Sequence, residues 1–154
     1  MTIQPSTSTC CISRATAAAA FDVFGVTCRV LLAGAGSDGL QSVARLTCPP
    51  GAGAPPHRHA QAETFHILCG RLEVRVGETR HELGAGDLVH VRPWAVHAFL
   101  NRGTEPVEFI ATGAPAGHEH FFAEADALTQ AGDFTPANAA AVCGRHGIEL
   151  VESP

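Results

Sequence analysis

Gly51-Ala-Gly-Ala-Pro-Pro-His57-Arg-His59-Ala-Gln-Ala-Glu63, followed after six residues by Gly70, is the stretch whose reading decides the fold. A second stretch runs from Gly86-Asp87 to His97 and Asn101. In a strand alternate side chains share a face, so His57 and His59 point the same way, and Glu63 returns to that face if the chain stays extended. With His97, three imidazoles and a carboxylate can then surround one metal ion. Neutral imidazole and carboxylate suit zinc, iron, nickel, copper or manganese, and the lack of thiolate speaks against a structural zinc site.

Outward from this stretch the chain reads as short strands. Thr64 to Leu68 leads into Gly70, Arg71 to Val76 alternates, and Thr79 to Leu83 returns as its hairpin partner. Leu88 to Val91, Val96 to Leu100 and Val107 to Thr112 continue the series, broken by a bend at Pro93-Trp94 and a turn at Arg102-Gly103-Thr104. Upstream, Thr27 to Ala33 and Gln41 to Cys48 flank a glycine-rich turn. Strands this short and evenly spaced indicate a sandwich or barrel. After Pro115 the period changes: Phe121, Phe122, Ala125 and Leu128 recur at helical spacing, and a second helix runs from Pro136 through Val142 to the region of Gly144. Met1 to about Ala20 reads as a poorly ordered arm or an edge element. The expected organisation is an arm over 1–20, a barrel over 21–115 and a helical tail over 116–154 packed on the barrel.

The 154 residues suffice for one domain with a core of its own, and 16 Gly with 10 Pro favour tight turns over long helices. All 10 basic residues are Arg; neither Lys nor Tyr occurs, which removes Schiff-base and phenol catalysis from the inventory. The net charge is −5 and the Arg residues are scattered, so the basic stripe of a nucleic-acid binder is missing. Cys10, Cys11, Cys28, Cys48, Cys69 and Cys143 have no CxxC spacing and read as free thiols. No segment reads as a signal core or a membrane span, and the cytoplasm is the expected compartment.

The two stretches together resemble the conserved motifs of the cupin superfamily. The first matches G-x5-HxH-x3-E-x6-G at every fixed position from Gly51 to Gly70. The second resembles G-x5-P-x-G-x2-H-x3-N, with Gly86, His97 and Asn101 in register but Arg92 at the usual Pro and Trp94 at the usual Gly. The likeness extends from about Cys28 to the C-terminus, and the tail is similar to that of small quercetin-dioxygenase-like cupins. It implies an all-β fold, a cupin double-stranded β-helix (a jelly-roll-like antiparallel barrel) with a short C-terminal helical tail, and a homodimer. It further implies one divalent transition metal on His57, His59, Glu63 and His97, Fe2+ before Mn2+, Ni2+, Zn2+ or Cu2+. Glu63 doubles as the expected catalytic group. Fold alone does not select a reaction. The expected activity is a dioxygenase of an oxygenated aromatic or enol-type small molecule, with dioxygen as co-substrate. A redox-neutral isomerase or polyketide-cyclase-like enzyme and a non-catalytic metal-supported binder stand as alternatives.

Phe65, Trp94, Phe99, Asn101 and Phe109 form the expected pocket-lining set. Trp94 has a second reading as a bulky turn residue packed outside, and the three Phe as core filling. His66 is out of phase with Glu63 and is expected to face away from the metal. His90 is expected to pair with a strand neighbour. His118 and His120 share the HxH spacing, but at a helix start they sit about 200° apart, so a solvated helix start is the expectation. Phe121 and Phe122 either lid the barrel or pack the helix. Cys48 and Cys69 are read as small buried hydrophobes.

Overall fold

The computed structural model describes residues 10–152. Its strands form two antiparallel sheets. In one, β1 (Ala20–Val23), β2 (Val26–Leu32), β3 (Ser42–Cys48), β10 (Val107–Ala114), β5 (Ala62–Cys69) and β8 (Leu88–Val91) lie side by side in that order. The other runs β11 (Glu149–Leu150), β4 (Gly53–Arg58), β9 (His97–Leu100), β6 (Arg71–Val76) and β7 (Thr79–Gly84). Burial alternates strictly along β3 and β10, as expected for strands with one face on a core and one toward solvent. Inward residues such as Ile67, Leu72, Val74, Val107 and Cys28 fill the space between the sheets. At its centre Phe65, Phe99 and Phe109 meet edge-on, with ring centroids 5.3 to 5.7 Å apart, the arrangement aromatic quadrupoles favour. This is the double-stranded β-helix that the motifs imply.

Every strand expected from alternation is present, within a residue or two at its ends. Besides the edge strand β1, which precedes the expected series, three features differ. The Pro-rich lead-in is itself a strand, β4. Proline cannot donate to a ladder, and the register between β4 and β9 shifts between Ala54 and His57, across the two prolines. That bulge makes His57 the direct partner of His97. Gly53 lets the strands approach, since a Cβ there would lie 2.1 Å from the Phe99 carbonyl oxygen. The second difference is β11: the C-terminal segment is not purely helical, because Glu149 and Leu150 pair with Arg58 and His57 and extend the second sheet. Third, residues 1–9 of the expected arm lie outside the described residues, while 10–19 are mostly exposed, without helix or strand, and anchored by Arg29, which donates to the carbonyls of Ala15 and Ala18.

Helix α1 (His118–Gln130) and helix α2 (Pro136–Arg145) follow β10. Thr135 caps α2 by accepting from the Asn138 amide, with Pro136 in the first turn. Asp126 on α1 accepts from the Asp22 amide of β1 at 2.8 Å. Arg145 and His146 at the end of α2 reach Glu124 of α1 at 2.7 and 2.6 Å. The helices are thus pinned to the first sheet and to each other. No helix among the described residues is long and apolar enough to cross a membrane.

Candidate metal centre

The four singled-out residues converge, by a route other than the one their parity suggests. His57 is on β4 and His59 just beyond its end; the chain then bends at Ala60 and Gln61, and Glu63 arrives on β5 of the opposite sheet. The site therefore lies between the sheets rather than along one extended strand. His97 enters from β9. The ligand-capable atoms of all four lie within 4.8 Å of one another. The His57 and His97 rings are 4.2 Å apart, and His59 stands edge-on to His97 at 5.0 Å.

Backbone carbonyls orient all three rings. His57 Nδ1 donates to the Pro55 carbonyl at 2.7 Å, His97 Nδ1 to Ala95 at 2.9 Å and His59 Nδ1 to Gln61 at 3.1 Å. A carbonyl only accepts, so each bond fixes the Nδ1–H tautomer and leaves Nε2 as the ligand atom. His97 Nε2 then faces Glu63 Oε2 at 3.0 Å and His59 Nε2 faces it at 3.5 Å. An imidazole lone pair and a carboxylate oxygen at that separation require a cation between them, a proton or a metal ion. The donor set fits a divalent transition metal.

Charge in the site follows the same geometry. Burial alone would raise the Glu63 carboxyl, whose side chain is 12% exposed, but hydrogen bonds from His59 and His97 and the charge of His118 hold it well below the usual range. Burial, with His97 nearby, pushes His57 down to about 4, so it is neutral and ready to ligate at neutral pH. For His97 burial is outweighed by Glu63, and its pKa is raised.

A fifth side chain belongs here that the sequence reading placed in solvent. His118, in the first turn of α1, is only 8% exposed, with Nδ1 3.5 Å from Glu63 Oε1 and its ring edge-on to His59 at 4.8 Å. The helical argument separates it correctly from His120, which is exposed, but does not tell which of the two turns inward. Burial lowers the His118 pKa against the pull of Glu63. One signal was available: Gly113, inside a strand otherwise built for packing, marks a close approach. It is the register partner of Glu63, and a Cβ there would lie 2.6 Å from His118 Nδ1.

Next to these residues opens a cavity of about 420 Å³. Phe65 and Phe99 line it. Phe109 does not: it is wholly buried behind them in the core. Asn101 does not either; its amide donates to the carbonyls of Cys48 and Glu105 and its oxygen accepts from the Gly103 amide, a latch for the loop that follows β9. Trp94 is 52% exposed on the outside, its amide donating to the His59 carbonyl at 2.8 Å. Its φ of 64° is the left-handed conformation that the usual Gly would adopt without strain. Phe121 and Phe122 roof the cavity with Phe24 and Phe134. His66 faces away, exposed, and His90, also exposed, pairs with Thr64 Oγ1 at 2.8 Å. The thiols of Cys11, Cys28, Cys48, Cys69 and Cys143 are free; Cys48 is buried and its thiol pushed up to about 11 by burial, whereas Cys69 is exposed rather than buried.

Residues 44–113 match the family model of the cupin domain. The chain contains a cupin domain. Among solved structures, this chain is similar to an RmlC-like cupin from Shewanella frigidimarina, at 21% identity and TM-score 0.63 over 71% of this chain and 94% of that one. It is also similar to a predicted oxalate decarboxylase from Thermotoga maritima, at 23% and 0.61 over 68% and 99%. A third is the polyketide cyclase RemF from Streptomyces resistomycificus, at 17% and 0.59 over 66% and 76%. These likenesses concern the fold. No curated protein sequence matches the chain.

Proposed function

We propose that this protein is a metal-dependent enzyme of a small, largely apolar molecule carrying an oxygenated aromatic or enol group, with dioxygenation as its reaction. His57, His59, Glu63 and His97 would hold one divalent transition metal, iron(II) in the first place. Bound there, such an ion would supply Lewis acidity and, if iron, redox chemistry toward an oxygen-bearing group. The observation that carries the reading is the lining of the cavity. Among the described residues that line it, the polar side chains are His57, His59, Glu63 and His118, the rest are aliphatic, aromatic, thiol or glycine, and none is arginine. An apolar body thus finds a dry wall and its oxygenated head finds the metal end. A multiply charged substrate would find no counter-charge in that wall.

Within this reading the chain's own residues divide the work. The phenylalanine walls exclude water and align a flat substrate by edge and face contacts. With a metal bound, Glu63 would be a ligand and the carboxylate nearest the substrate head, the side chain that would serve as general base where it is not bound to the ion. A redox-neutral cyclisation or isomerisation is the second reading, favoured by His118, which puts a second proton-carrying group at the metal end of an otherwise apolar cavity. Oxygen consumption by the iron-loaded protein over a panel of catechols, flavonols and enols tests the choice. The first reading expects uptake that depends on both iron and substrate; conversion of substrate without dioxygen by zinc- or nickel-loaded protein overturns it.

A further inference from the structure

The two oxygens of Glu63 are in different company. Oε2 faces His97 and His59, the neighbours with which it would share a metal. Oε1 faces His118 Nδ1. We propose that His118 is a positioning residue, holding Oε1 so that Oε2 stays turned toward His59 and His97, where it would meet a metal; this rests on the metal-centre reading above.

Three separate contacts aim the ring. Its floor is Gly113, where any side chain would collide with Nδ1. Its wall is the edge-on contact with His59. Its backbone is fixed by the neighbouring Glu119, whose Oε1 accepts from the Gly34 amide at 2.7 Å and whose Oε2 accepts from the Gly117 amide at 3.0 Å. The first turn of α1 is thereby tied to the loop after β2. Nδ1 lies 3.5 Å from Oε1, longer than an ordinary hydrogen bond, so the ring acts by electrostatic attraction and by filling the space beside Oε1. Without it the carboxylate would be free to turn away from His59 and His97, and a bound metal would lose a preset ligand. The device joins the helical segment to the barrel's metal end, because the ring comes from α1 and the carboxylate from β5.

Cobalt(II) titration of chelator-treated protein, followed by calorimetry and visible absorption, tests this with His118→Asn, His118→Leu and Gly113→Ala. Asn can present an amide N–H close to where Nδ1 lies; Leu cannot. The proposal expects His118→Leu to weaken cobalt binding by roughly 10- to 100-fold with a changed visible spectrum. His118→Asn is expected to restore most of the affinity and the wild-type spectrum. Gly113→Ala, which displaces the ring without removing a polar group, is expected to behave like His118→Leu. Wild-type affinity and spectrum in His118→Leu overturn the proposal, as does equal weakening in Asn and Leu. Should His118→Leu lose its far-UV circular dichroism, Gly113→Ala decides: cobalt binding like wild type overturns the proposal. A wild-type protein that fails to bind cobalt brings down the metal centre itself, a result separable from the others.

Discussion

The two ends of the cavity are built by different means. At the metal end, the rings of His57, His59 and His97 come from strands or the residue just past one, and each is locked by a backbone carbonyl two residues away. At the other end, Phe24, Phe121 and Phe134 meet at 5.2 to 6.2 Å with no polar tie between their side chains, and Phe134 is 53% exposed. One end fixes atoms to a position; the other fixes only a shape. The candidate ligands thus rest on strand register, which is hard to slip, with α1 contributing only His118 beside them, whereas the far end is closed by apolar contacts from α1 and the segments flanking it.

The contrast can be broken by mutation. Phe65→Ala empties the aromatic centre of the barrel and is expected to cost about 3–5 kcal/mol, whereas Phe134→Ala in the half-exposed roof should cost less than about 1 kcal/mol. Equal losses in urea denaturation would erase the distinction. Glu119→Gln, which weakens the ties to Gly34 and Gly117, should cost about 1 kcal/mol at neutral pH because the carboxylate is partly solvated. Burial would raise the Glu119 pKa, but its bonds to backbone amides lower it overall. The stabilisation is therefore present above the unfolded value of about 4.3 and lost as pH falls through the lower folded value. The difference between wild type and Glu119→Gln should shrink in that acid window, and a constant difference would refute the assignment. The smallest effect belongs to Trp94→Gly. Relief of the left-handed conformation, offset by the entropy glycine loses on folding, should leave a gain below about 1 kcal/mol, or roughly 2–4 °C in Tm. Because Trp94 points outward, its fluorescence in the wild type should respond little to a ligand entering the cavity; a strong response would place it on the wall after all.

The strands and the four candidate ligands were legible because both rest on local rules. Alternation sets which residues face inward, and fixed spacing sets which of them share a turn or strand end. What escaped depends on contacts between distant segments. His118 reads as a solvated helix start until α1 is seen held against the loop at Gly34 by Glu119. The exclusion of Phe109 and Asn101 from the cavity is a matter of depth rather than face: both have the inward parity expected, but one lies a layer behind Phe65 and the other is consumed by loop carbonyls. Trp94 turns outward because its bend takes a positive φ, a conformation that spacing alone does not specify for a bulky residue. β11 is two residues long, too short for any periodicity to register.

Metal analysis of the purified protein beside His59→Ala tests the central claim most directly. The account predicts close to one equivalent of divalent transition metal per chain in the wild type, and loss of most of it in the variant, with the far-UV circular dichroism of the barrel retained. A wild type that holds no metal and takes none up, or a His59→Ala protein with unchanged metal content, would contradict it.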